Sequence, residues 1–394
     1  MPSTLTQSAQ SARSSAHVVT KANRTLLPST KLTSAAPGEH ARVRVRLAAA
    51  VLSAVNYEPM VRVLPLPQTG PQNLPQSATP TREAAQDCLP SGDFGQTGES
   101  SGESSLDRAV RASVTSSTGL TLGYLNQLAT FAGQAADRAD DDGSGRPDND
   151  ADLGAGSGQC LTVGYLALVH TDTMPVGLAH QTAKARPGWV SCYTYLPWED
   201  WRNGRPSMIS SSILPRLTAW ADRAGPDATQ AEDRRRQIQI CFGNTHAWDD
   251  ERVLERYELM QAAGLFSTLA TPACAADGRA RDENLGRPMA GDHRRILAAA
   301  LGRLRSKLRY RPVIFELMAH DFTLFELQRT VEGIIGPHLH KQNFRRLVES
   351  MGLVEATGAI KTHTGGRPAK LFRFRPGVVL EQAAPGMRVR LGHV

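Results

Sequence analysis

The sharpest division between apolar and polar positions lies in the stretch from residue 321 to residue 352. Thr323 and Glu326 have the spacing of a capping box, in which each side chain satisfies a backbone N–H group at the start of a helix. Phe322 and Leu327 occupy the two hydrophobic-staple positions around that cap. The spacing therefore predicts a helix that begins just after Thr323.

A tight turn is predicted where this helix meets Gly336 and Pro337, because glycine tolerates a left-handed cap and proline cannot continue the hydrogen-bond ladder. A second helix follows and ends at Gly352. At about 100° per residue, its apolar stripe consists of Phe344, Leu347, Val348 and Met351. Its opposite arc is polar and consists of Lys341, Gln342, Arg345, Arg346 and Glu349. Two short helices around a tight turn predict a helix-turn-helix.

The polar arc of the second helix carries side chains of the kind that read DNA. Arginine pairs with guanine edges, glutamine pairs with adenine, and lysine meets phosphate or guanine. We therefore expect this helix to contact double-stranded DNA in the major groove, through Lys341, Gln342, Arg345 and Arg346. The alternative interpretation is an ordinary solvated helix face.

A β-wing is predicted after this helix. Residues 353–360 and 371–375 have the pattern of two strands, and Phe and Arg alternate in the second of them. The connection between them contains Gly365 and Gly366, and its cations are expected to meet phosphates or a minor groove: Lys361, Arg367 and Lys370. A basic amphipathic helix at 294–312 precedes the helix-turn-helix. Together these elements predict a winged helix.

The preceding part of the chain mixes strand patterns with helix patterns. The strand patterns cover Arg42–Val55, Met60–Leu66, Tyr124–Ala132 and Leu161–His170. The helix patterns cover Ser104–Leu122, Ser207–Trp220 and Asp249–Leu265. The last of these helices offers a candidate partner face, formed by Val253, Leu254, Tyr257 and Leu265. The aromatic segment PWEDWR, Pro197–Arg202, is either core and rim packing or a nucleotide-stacking loop.

Composition divides the chain into four segments. The predicted boundaries are 1–40 for a disordered segment, 41–245 for a first folded domain, 246–290 for a linker helix and linker, and 291–394 for the winged-helix DNA-binding domain. Within the first folded domain, loop insertions are predicted at about 67–88 and 133–160, where Pro, Gly and polar residues accumulate.

Charge is unevenly distributed along the chain. The net charge is +7, and residues 291–394 contribute 18 Lys/Arg against 8 Asp/Glu, which gives +10 there and −3 elsewhere. A basic C-terminal module that follows a mildly acidic segment is typical of a nucleic-acid-binding domain attached to a partner domain.

The sequence also bears on the compartment. No apolar run approaches the length of a membrane span, and no apolar leader precedes a cleavage site. The five cysteines lie far apart without a CxxC pair, which indicates reduced thiols and neither a zinc site nor a disulfide framework. We therefore expect a cytoplasmic protein without a membrane partner.

Two parts of the chain resemble known families. LPSGDF followed by SLDRAVRASVTSSTGL is similar to the Nudix motif G-x5-E-x7-R-E-U-x-E-E-x-G-U, with Gly98 at its start and Gly119 and Leu120 at its end. The segments RLRSKLRYRPVIFEL, FTLFELQRTVEGIIG, NFRRLVE and GGRPAKLFRF resemble the winged helix of the Nudix-related transcriptional regulators of NAD metabolism. The resemblance implies an α+β fold, in which a Nudix-like α/β/α sandwich domain is followed by a winged helix-turn-helix domain.

The Nudix-like motif lacks the residues that would make it catalytic. Nudix hydrolases use glutamates on the motif helix to hold divalent metals that activate water. Here the four glutamate positions hold Ser104, Ser113, Ser116 and Ser117, and the arginine position holds Ala112. Neutral hydroxyls do not supply the negative charge that Mg²⁺ requires. We therefore expect no catalytic residue, no bound metal, no cofactor and no enzymatic activity.

The leading hypothesis is a DNA-binding transcriptional regulator with a catalytically inactive Nudix-like sensor. The resemblance implies control of NAD-related genes, an effector such as ADP-ribose or a related nucleotide, and a homodimer on a pseudo-palindromic operator. Two alternatives stay open: an active Nudix-type hydrolase, with Glu103 and Asp107 as substitute acids, and a non-enzymatic protein–protein adaptor. Metal-dependent turnover would indicate the hydrolase, and a salt-independent partner without DNA affinity would indicate the adaptor.

Overall fold

The computed structural model describes residues 44–66, 86–94, 105–133, 160–170, 188–224, 228–243, 248–266, 285–362 and 368–377. The predicted disordered segment and most of both predicted insertions lie outside these residues, as do Ser104 and Arg367. Within the described part of the chain, no helix is both long enough and apolar enough to cross a bilayer.

A six-stranded mixed sheet forms the centre of the N-terminal part. Its strands are β1 (Arg44–Val55), β2 (Glu58–Arg62), β5 (Ser91–Asp93), β6 (Tyr124–Gly133), β7 (Cys160–Leu168) and β8 (Trp189–Ser191). The order across the sheet is β6-β7-β1-β2-β8, and β5 pairs with the first half of β1. Strands β1 and β7 run parallel, whereas the other pairs run antiparallel. A separate short ladder joins β3 (Leu64–Leu66) to β4 (Gln86–Cys88).

The helices of the described residues are α1 (Leu106–Thr118), α2 (Cys192–Tyr195), α3 (Leu214–Asp222), α4 (Ala228–Phe242), α5 (Val253–Ala262), α6 (His293–Tyr310), α7 (Leu324–Ile335) and α8 (Lys341–Ser350). Single 3₁₀ turns occupy Pro197–Glu199 and Val313–Leu317, and a π-helix occupies Ile209–Ile213 just before α3. An antiparallel hairpin of β9 (Val354–Lys361) and β10 (Ala369–Phe374) follows α8.

Strand β1 is the central element because both of its faces are buried. Side chains alternate across a strand, so successive residues enter different cores. Ala48, Ala50 and Leu52 belong to the larger core, whereas Leu47, Ala49 and Val51 belong to the smaller core on the opposite face. A strand buried on both faces has a nearly continuous apolar sequence, as LAAAVL has here.

Helices cover both faces of the sheet. Helix α1 buries Ala109, Val110 and Val114 in the smaller core. Helix α6 buries Ile296 and Leu297, with several further apolar residues, in the larger core. The close approach of Phe131 and of α6 explains Gly164 on β7, where a Cβ atom would lie 2.8 Å from Cε2 of Phe131 and 3.2 Å from Cγ2 of Ile296. The predicted α/β/α sandwich is therefore confirmed.

Two features of the helical regions differ from the sequence expectation. Helix α4 was not predicted, because it is polar on nearly every side and buries Ile238, Cys241 and Phe242 only near its end. The candidate partner face on α5 is not available to a partner. Val253, Tyr257 and Leu265 are all buried in the protein's own core, and Leu254 packs against that core. The expectation that this face contacts another subunit is therefore wrong.

The predicted start of α7 is confirmed in detail. The N–H of Glu326 donates to Oγ1 of Thr323 at 3.2 Å, and the N–H of Thr323 donates to Oε2 of Glu326 at 2.8 Å. Both side chains of the hydrophobic staple, Phe322 and Leu327, are buried. Local sequence therefore fixes where this helix begins.

A buried histidine holds the start of α6 against the segment between β4 and β5. The N–H of Leu89 donates to Nδ1 of His293 at 3.0 Å. Burial, and then the nearby charge of Arg46, lowers the pKa of His293 to about 4 from its ordinary value of 6.5. The imidazole is therefore neutral in the folded protein and acts as a hydrogen-bond acceptor.

We expect the free energy of unfolding to fall between pH 6.5 and pH 4, with a contribution of about 3 kcal/mol from His293 at the acid end. In this interval the unfolded chain binds a proton at His293 that the folded chain does not bind, so stability rises with pH. Urea denaturation at a series of pH values should show that His293→Asn loses less stability toward acid pH than the wild type. The amide oxygen of the asparagine can still accept the N–H of Leu89. The exposed His320 provides the matched control, and equal pH dependence of His293→Asn and His320→Asn would contradict the assignment.

Candidate nucleic-acid interface

The turn between α7 and α8 is held by one buried carboxylate. Glu332, near the end of α7, accepts the backbone N–H of Leu339 at 2.9 Å and a side-chain N–H of Gln328 at 2.8 Å. Arg329 also donates to this carboxylate, at 3.0 Å. Burial raises the pKa of Glu332, but these donors and His338 outweigh burial and hold the pKa below its usual value. The charged carboxylate therefore fixes the geometry of the turn.

Helix α8 is anchored by its apolar stripe. Phe344 and Val348 are buried, and Leu347 and Met351 are half-buried. The side chains of the opposite arc are all exposed: Lys341, Gln342, Arg345, Arg346 and Glu349. The division of faces predicted from the sequence is therefore present, and packing holds the polar arc outward.

Two of the cations predicted to contact DNA form ion pairs within the chain. Nε of Arg345 lies 2.9 Å from Oε1 of Glu349, one turn further along α8. Nζ of Lys361 lies 2.6 Å from Oε1 of Glu326, so this lysine ties β9 to the capping box of α7. Exposed pairs of this kind contribute about 0–1 kcal/mol, so Arg345 can exchange Glu349 for another partner at little cost.

The wing is joined to the helix-turn-helix by backbone pairing and by stacked rings. Phe322 and Phe372 exchange two backbone hydrogen bonds, of 2.9 and 2.8 Å. Phe315 stacks on Phe374 with ring centroids 4.5 Å apart, and it also packs against Phe322 at 5.6 Å. The alternation of Phe and Arg in β10 thus places the rings against the core.

The structure brings the predicted DNA-contacting residues onto two elements. Lys341, Gln342, Arg345 and Arg346 share one exposed arc of α8. Lys361 and Lys370 are exposed on the strands of the wing, whereas Arg367 at the wing tip lies outside the described residues. Contact between these residues and DNA stays a prediction.

The central sheet with the helices that pack on it, α6 included, is called the sheet domain below, and it caps the end of α7. Oη of Tyr193 donates to the carbonyl of Gly333 at 2.7 Å, and Nε of Arg305 donates to the carbonyl of Ile334 at 2.8 Å. The last carbonyls of a helix have no partner within the helix, and two of them are satisfied here from outside the helix-turn-helix. The hairpin tip between β1 and β2 lies against the same turn, since a Cβ at Gly333 would collide with the carbonyl oxygen of Tyr57.

Arg305 also belongs to a fully buried ion network. The carboxylate of Glu199 lies 2.6 Å from Nε of Arg256 and 2.6 Å from a terminal nitrogen of Arg305, and all three side chains are 0% exposed. Arg305 donates further to the carbonyls of Glu199 and Asp250, at 2.9 and 3.1 Å. Burial raises the pKa of Glu199, but the two arginines outweigh burial and hold the pKa below its usual value. The network joins α5, α6 and the end of α7.

The segment PWEDWR supplies part of this network. Trp198 and Glu199 are completely buried, and Trp201 stacks on Trp248 with ring centroids 4.1 Å apart. Trp201 also lies against Gly336, at the turn of the helix-turn-helix. Of the two interpretations of PWEDWR, these contacts favour core and rim packing.

Two arginines counted in the basic module face the core instead of solvent. Arg305 belongs to the ion network, and Nε of Arg294 donates to the carbonyl of Tyr195 at 2.8 Å. Burial lowers the pKa of Arg294 to about 10. Helix α6 packs on the sheet, so its charge count overstates the positive surface available to nucleic acid.

The motif helix α1 is closed by Gly119, whose φ of 70° is the left-handed cap conformation that glycine adopts without strain. Val114 and Leu120, at the apolar positions of the Nudix-like motif, are buried. The hydroxyls of Ser116 and Ser117 donate to the carbonyl of Ser113 at 3.0 and 2.8 Å. Ala112 is exposed. Within the described residues, no group of three or more His, Cys, Asp or Glu is arranged to hold a metal ion.

Sequence reasoning missed Glu332, Tyr193 and Arg305 as residues that position the helix-turn-helix. A signal existed for Glu332, because it is a carboxylate inside the otherwise apolar run VEGII. Tyr193 and Arg305 had no comparable signal, since each of them contacts α7 across a long separation in sequence.

Comparison with known families addresses this C-terminal geometry directly. Residues 314–374 match the NrtR DNA-binding winged helix domain. This segment is similar to the winged helix of NrtR proteins. The matched residues contain α7, α8, β9 and β10, which confirms the winged helix predicted from the sequence. The match begins after α6, and the predicted domain boundary at residue 291 stays a prediction.

A named relative covers part of the chain. The ADPR responsive transcriptional repressor NtrR of Acinetobacter baylyi is 44% identical over 86 residues, which are 22% of this chain and 34% of the repressor. The chain therefore spans about a third of the length of that relative.

Two solved structures are similar over most of the chain. Shewanella oneidensis NrtR, complexed with a 27mer DNA, is 18% identical, covers 85% of this chain and 95% of its own, and has a TM-score of 0.45. A MutT/nudix family protein from Enterococcus faecalis is 15% identical, covers 86% of this chain and 90% of its own, and has a TM-score of 0.41.

Proposed function

We propose that this protein is a transcriptional regulator that binds double-stranded DNA through α8 and senses a nucleotide through its sheet domain. The observation that carries this proposal is the exposed polar arc of α8 on an NrtR-type winged helix. Winged helices insert such a helix into the major groove, where arginine and glutamine recognise base edges. The resemblance to regulators of NAD metabolism implies NAD-related genes as targets.

ADP-ribose, or a nucleotide closely related to it, is the proposed effector. The Acinetobacter relative is named for its response to ADPR. The physical link within this chain is the end of α7, which receives hydrogen bonds from Tyr193 and Arg305. A ligand shifts a conformational equilibrium only if it binds the two states with different affinities. A nucleotide that displaced the segment around Tyr193 would release α7, so we expect ADP-ribose to weaken DNA binding.

We also propose a homodimer that binds two half-sites, because operator symmetry mirrors the two-fold symmetry of the protein. The full chain should retain specific fragments from a genomic DNA pull-down. Binding to the recovered operator should weaken when ADP-ribose is added and should depend steeply on salt. A monomer by light scattering, both free and DNA-bound, would exclude the dimer. A salt-independent protein partner without any DNA affinity would indicate the adaptor instead.

We expect no measurable turnover of ADP-ribose or NADH with Mg²⁺ or Mn²⁺. Uncharged side chains occupy the positions where Nudix hydrolases hold metal, and the hydroxyls of Ser116 and Ser117 are engaged with the helix backbone. The test is product formation measured at micromolar enzyme. Turnover that disappears in Glu103→Gln or Asp107→Asn would establish the hydrolase alternative.

Arg345→Ala is expected to weaken binding to the cognate operator by about 1–3 kcal/mol and to relax specificity at one base position. Arg345 lies near the middle of the exposed arc, and its exposed pair with Glu349 contributes little to folding. Binding to operator and to scrambled duplex should be measured across a salt series.

Arg367→Ala at the predicted wing tip is the comparison variant for Arg345→Ala. A backbone contact would weaken operator and scrambled duplex about equally and would reduce the salt slope by roughly one unit. If Arg345→Ala folds normally but also lowers both affinities equally, α8 does not read bases.

A further inference from the structure

A stripe of cations lies along the exposed side of α6. Arg303, Lys307 and Arg311 are spaced four residues apart, so they follow one another along one side of the helix and its C-terminal cap. Arg303 and Arg311 are exposed, and Lys307 is half-buried. The opposite side of the helix is buried in the core through Leu301, Leu304 and Leu308. These three cations are called the α6 stripe below.

The α6 stripe has no acidic counterpart in the described part of the chain. None of its three cations has a carboxylate oxygen within 4.0 Å among those residues, whereas the adjacent Arg309 pairs with Glu251 at 3.1 Å. Glu316, five residues beyond Arg311, lies beside Gly123 and forms no ion pair with the stripe among the described residues. Like charges one turn apart destabilise a helix, so the stripe lowers the stability of the free protein. An approaching polyanion would reduce this repulsion.

Aromatic side chains accompany the α6 stripe. Nζ of Lys307 lies 6.0 Å from the ring centroid of Tyr124 on the edge strand β6. Tyr310, between Lys307 and Arg311, is 41% exposed. Burial lowers the pKa of Lys307, and the charges of the other two cations of the stripe lower it further.

The α6 stripe is rigidly continuous with the wing. Arg311 directly follows α6, and only Pro312 separates it from the turn around Val313–Leu317. Phe315 in that turn stacks on Phe374 of the wing, with ring centroids 4.5 Å apart. The stripe therefore has a fixed position relative to the NrtR-type winged helix, although it lies before the residues that match that family.

We propose that Arg303, Lys307 and Arg311 form a second DNA contact, which binds phosphates of the duplex flanking the bases that α8 reads. This inference rests on the proposed function, because it requires a duplex held by the winged helix. Phosphate contacts position a protein on DNA and carry no base information. The stripe therefore adds affinity without adding specificity.

The test uses the full chain carrying Arg303→Gln, Lys307→Gln and Arg311→Gln together. Two duplexes are compared: the operator alone, and the operator extended by about one helical turn, roughly 10 base pairs, on each side. With the extended duplex, the salt slope of the variant should be shallower by roughly two to three units, at about 0.9 per lost phosphate contact. Between 50 and 200 mM salt, the wild type should then lose roughly 40-fold more affinity than the variant. The wild type should also bind the extended duplex more tightly than the operator alone, and the variant should lose this gain.

The matched control removes three paired cations, with Arg235→Gln, Arg252→Gln and Arg295→Gln in one chain. It changes the net charge by the same amount and should change the salt slope little. If the triple variant does not fold, Arg303→Gln with Arg311→Gln alters only the two exposed members and should lose roughly two units of slope.

The inference is overturned if the stripe variant and the control have the same salt slope and the same dependence on duplex length. The proposed function is then unaffected. The same equality together with loss of the dimer by light scattering also overturns it, and assigns the stripe to contact between copies of the chain. Absence of any DNA binding by the wild type overturns the proposed function and, with it, the second contact.

Discussion

Glu199→Gln is expected to lower the free energy of unfolding by about 3–5 kcal/mol. Glu199 is the only carboxylate that the structure places between Arg256 and Arg305 within the described residues, and all three side chains are fully buried. The amide has nearly the shape of the carboxylate but no charge, so two guanidinium groups would stay buried without the carboxylate that joins them. Removing one member of a buried ion pair is costly because the remaining charge is desolvated and uncompensated.

Glu258→Gln is the matched control for this substitution. Glu258 pairs with Arg295 at 2.6 Å, but this pair is partly exposed, with 41% and 30% of the two side chains accessible. The same chemical change should therefore cost at most about 1 kcal/mol. Urea denaturation of both variants at pH 7 measures the difference. Similar small losses in both would show that water reaches Glu199 in solution.

Glu199→Gln should also affect DNA binding under conditions where the variant is still folded. Arg305 spans the network and the end of α7, because it contacts both Glu199 and the carbonyl of Ile334. Displacement of Arg305 would leave that carbonyl with only the longer hydrogen bond from Oη of Tyr193, at 3.2 Å. The helix that supports the turn before α8 would then lose one of its attachments to the rest of the protein.

Phe344→Ala is expected to destabilise the protein by about 3–5 kcal/mol, as large-to-small substitutions at buried aromatic positions do. Phe344 is 3% exposed and belongs to the larger core together with Val348. Its removal leaves a cavity beneath α8, and the stripe that holds the polar arc outward is weakened. DNA affinity should therefore fall for operator and scrambled duplex alike, in contrast to the effect of Arg345→Ala.

Phe325→Ala provides the comparison on the preceding helix. Phe325 is 56% exposed. Among the described aromatic rings, its ring contacts that of Tyr57 alone, in a T-shaped arrangement with centroids 6.3 Å apart. The same side chain is removed, but little burial is lost, so the cost should stay below about 1 kcal/mol. Thermal and urea denaturation of the two variants should differ clearly. Equal stability would mean that α8 is not packed as the structure shows.

The two largest predicted effects concern one shared core. The larger core runs without interruption from Ala48 on the sheet to Phe344 on α8. Cooperative unfolding is the expected behaviour of elements that share a core. The sheet and the winged-helix elements are therefore joined by one core, which would provide a physical basis for the proposed effector response.

Local signals in the sequence determined the elements of the C-terminal domain. The capping box at Thr323 and Glu326, the glycine at the turn and the apolar stripe of α8 all act within a few residues of one another. Such signals need no distant partner, because they satisfy backbone groups or repeat with the period of a helix. The continuous apolar run of β1 likewise indicated a strand buried on both faces.

Only the tertiary structure decided which charged side chains are exposed at the surface and which are buried in the core. Arg305 looks like any other cation of a basic helix, yet its partner Glu199 lies 106 residues away in sequence. Tyr193 reaches Gly333 across 140 residues, and the apolar residues of α5 turn inward instead of toward a second subunit. A buried ion pair or a cross-domain cap depends on the desolvation and geometry that both partners acquire on folding, and the spacing of residues along the chain carries no record of either.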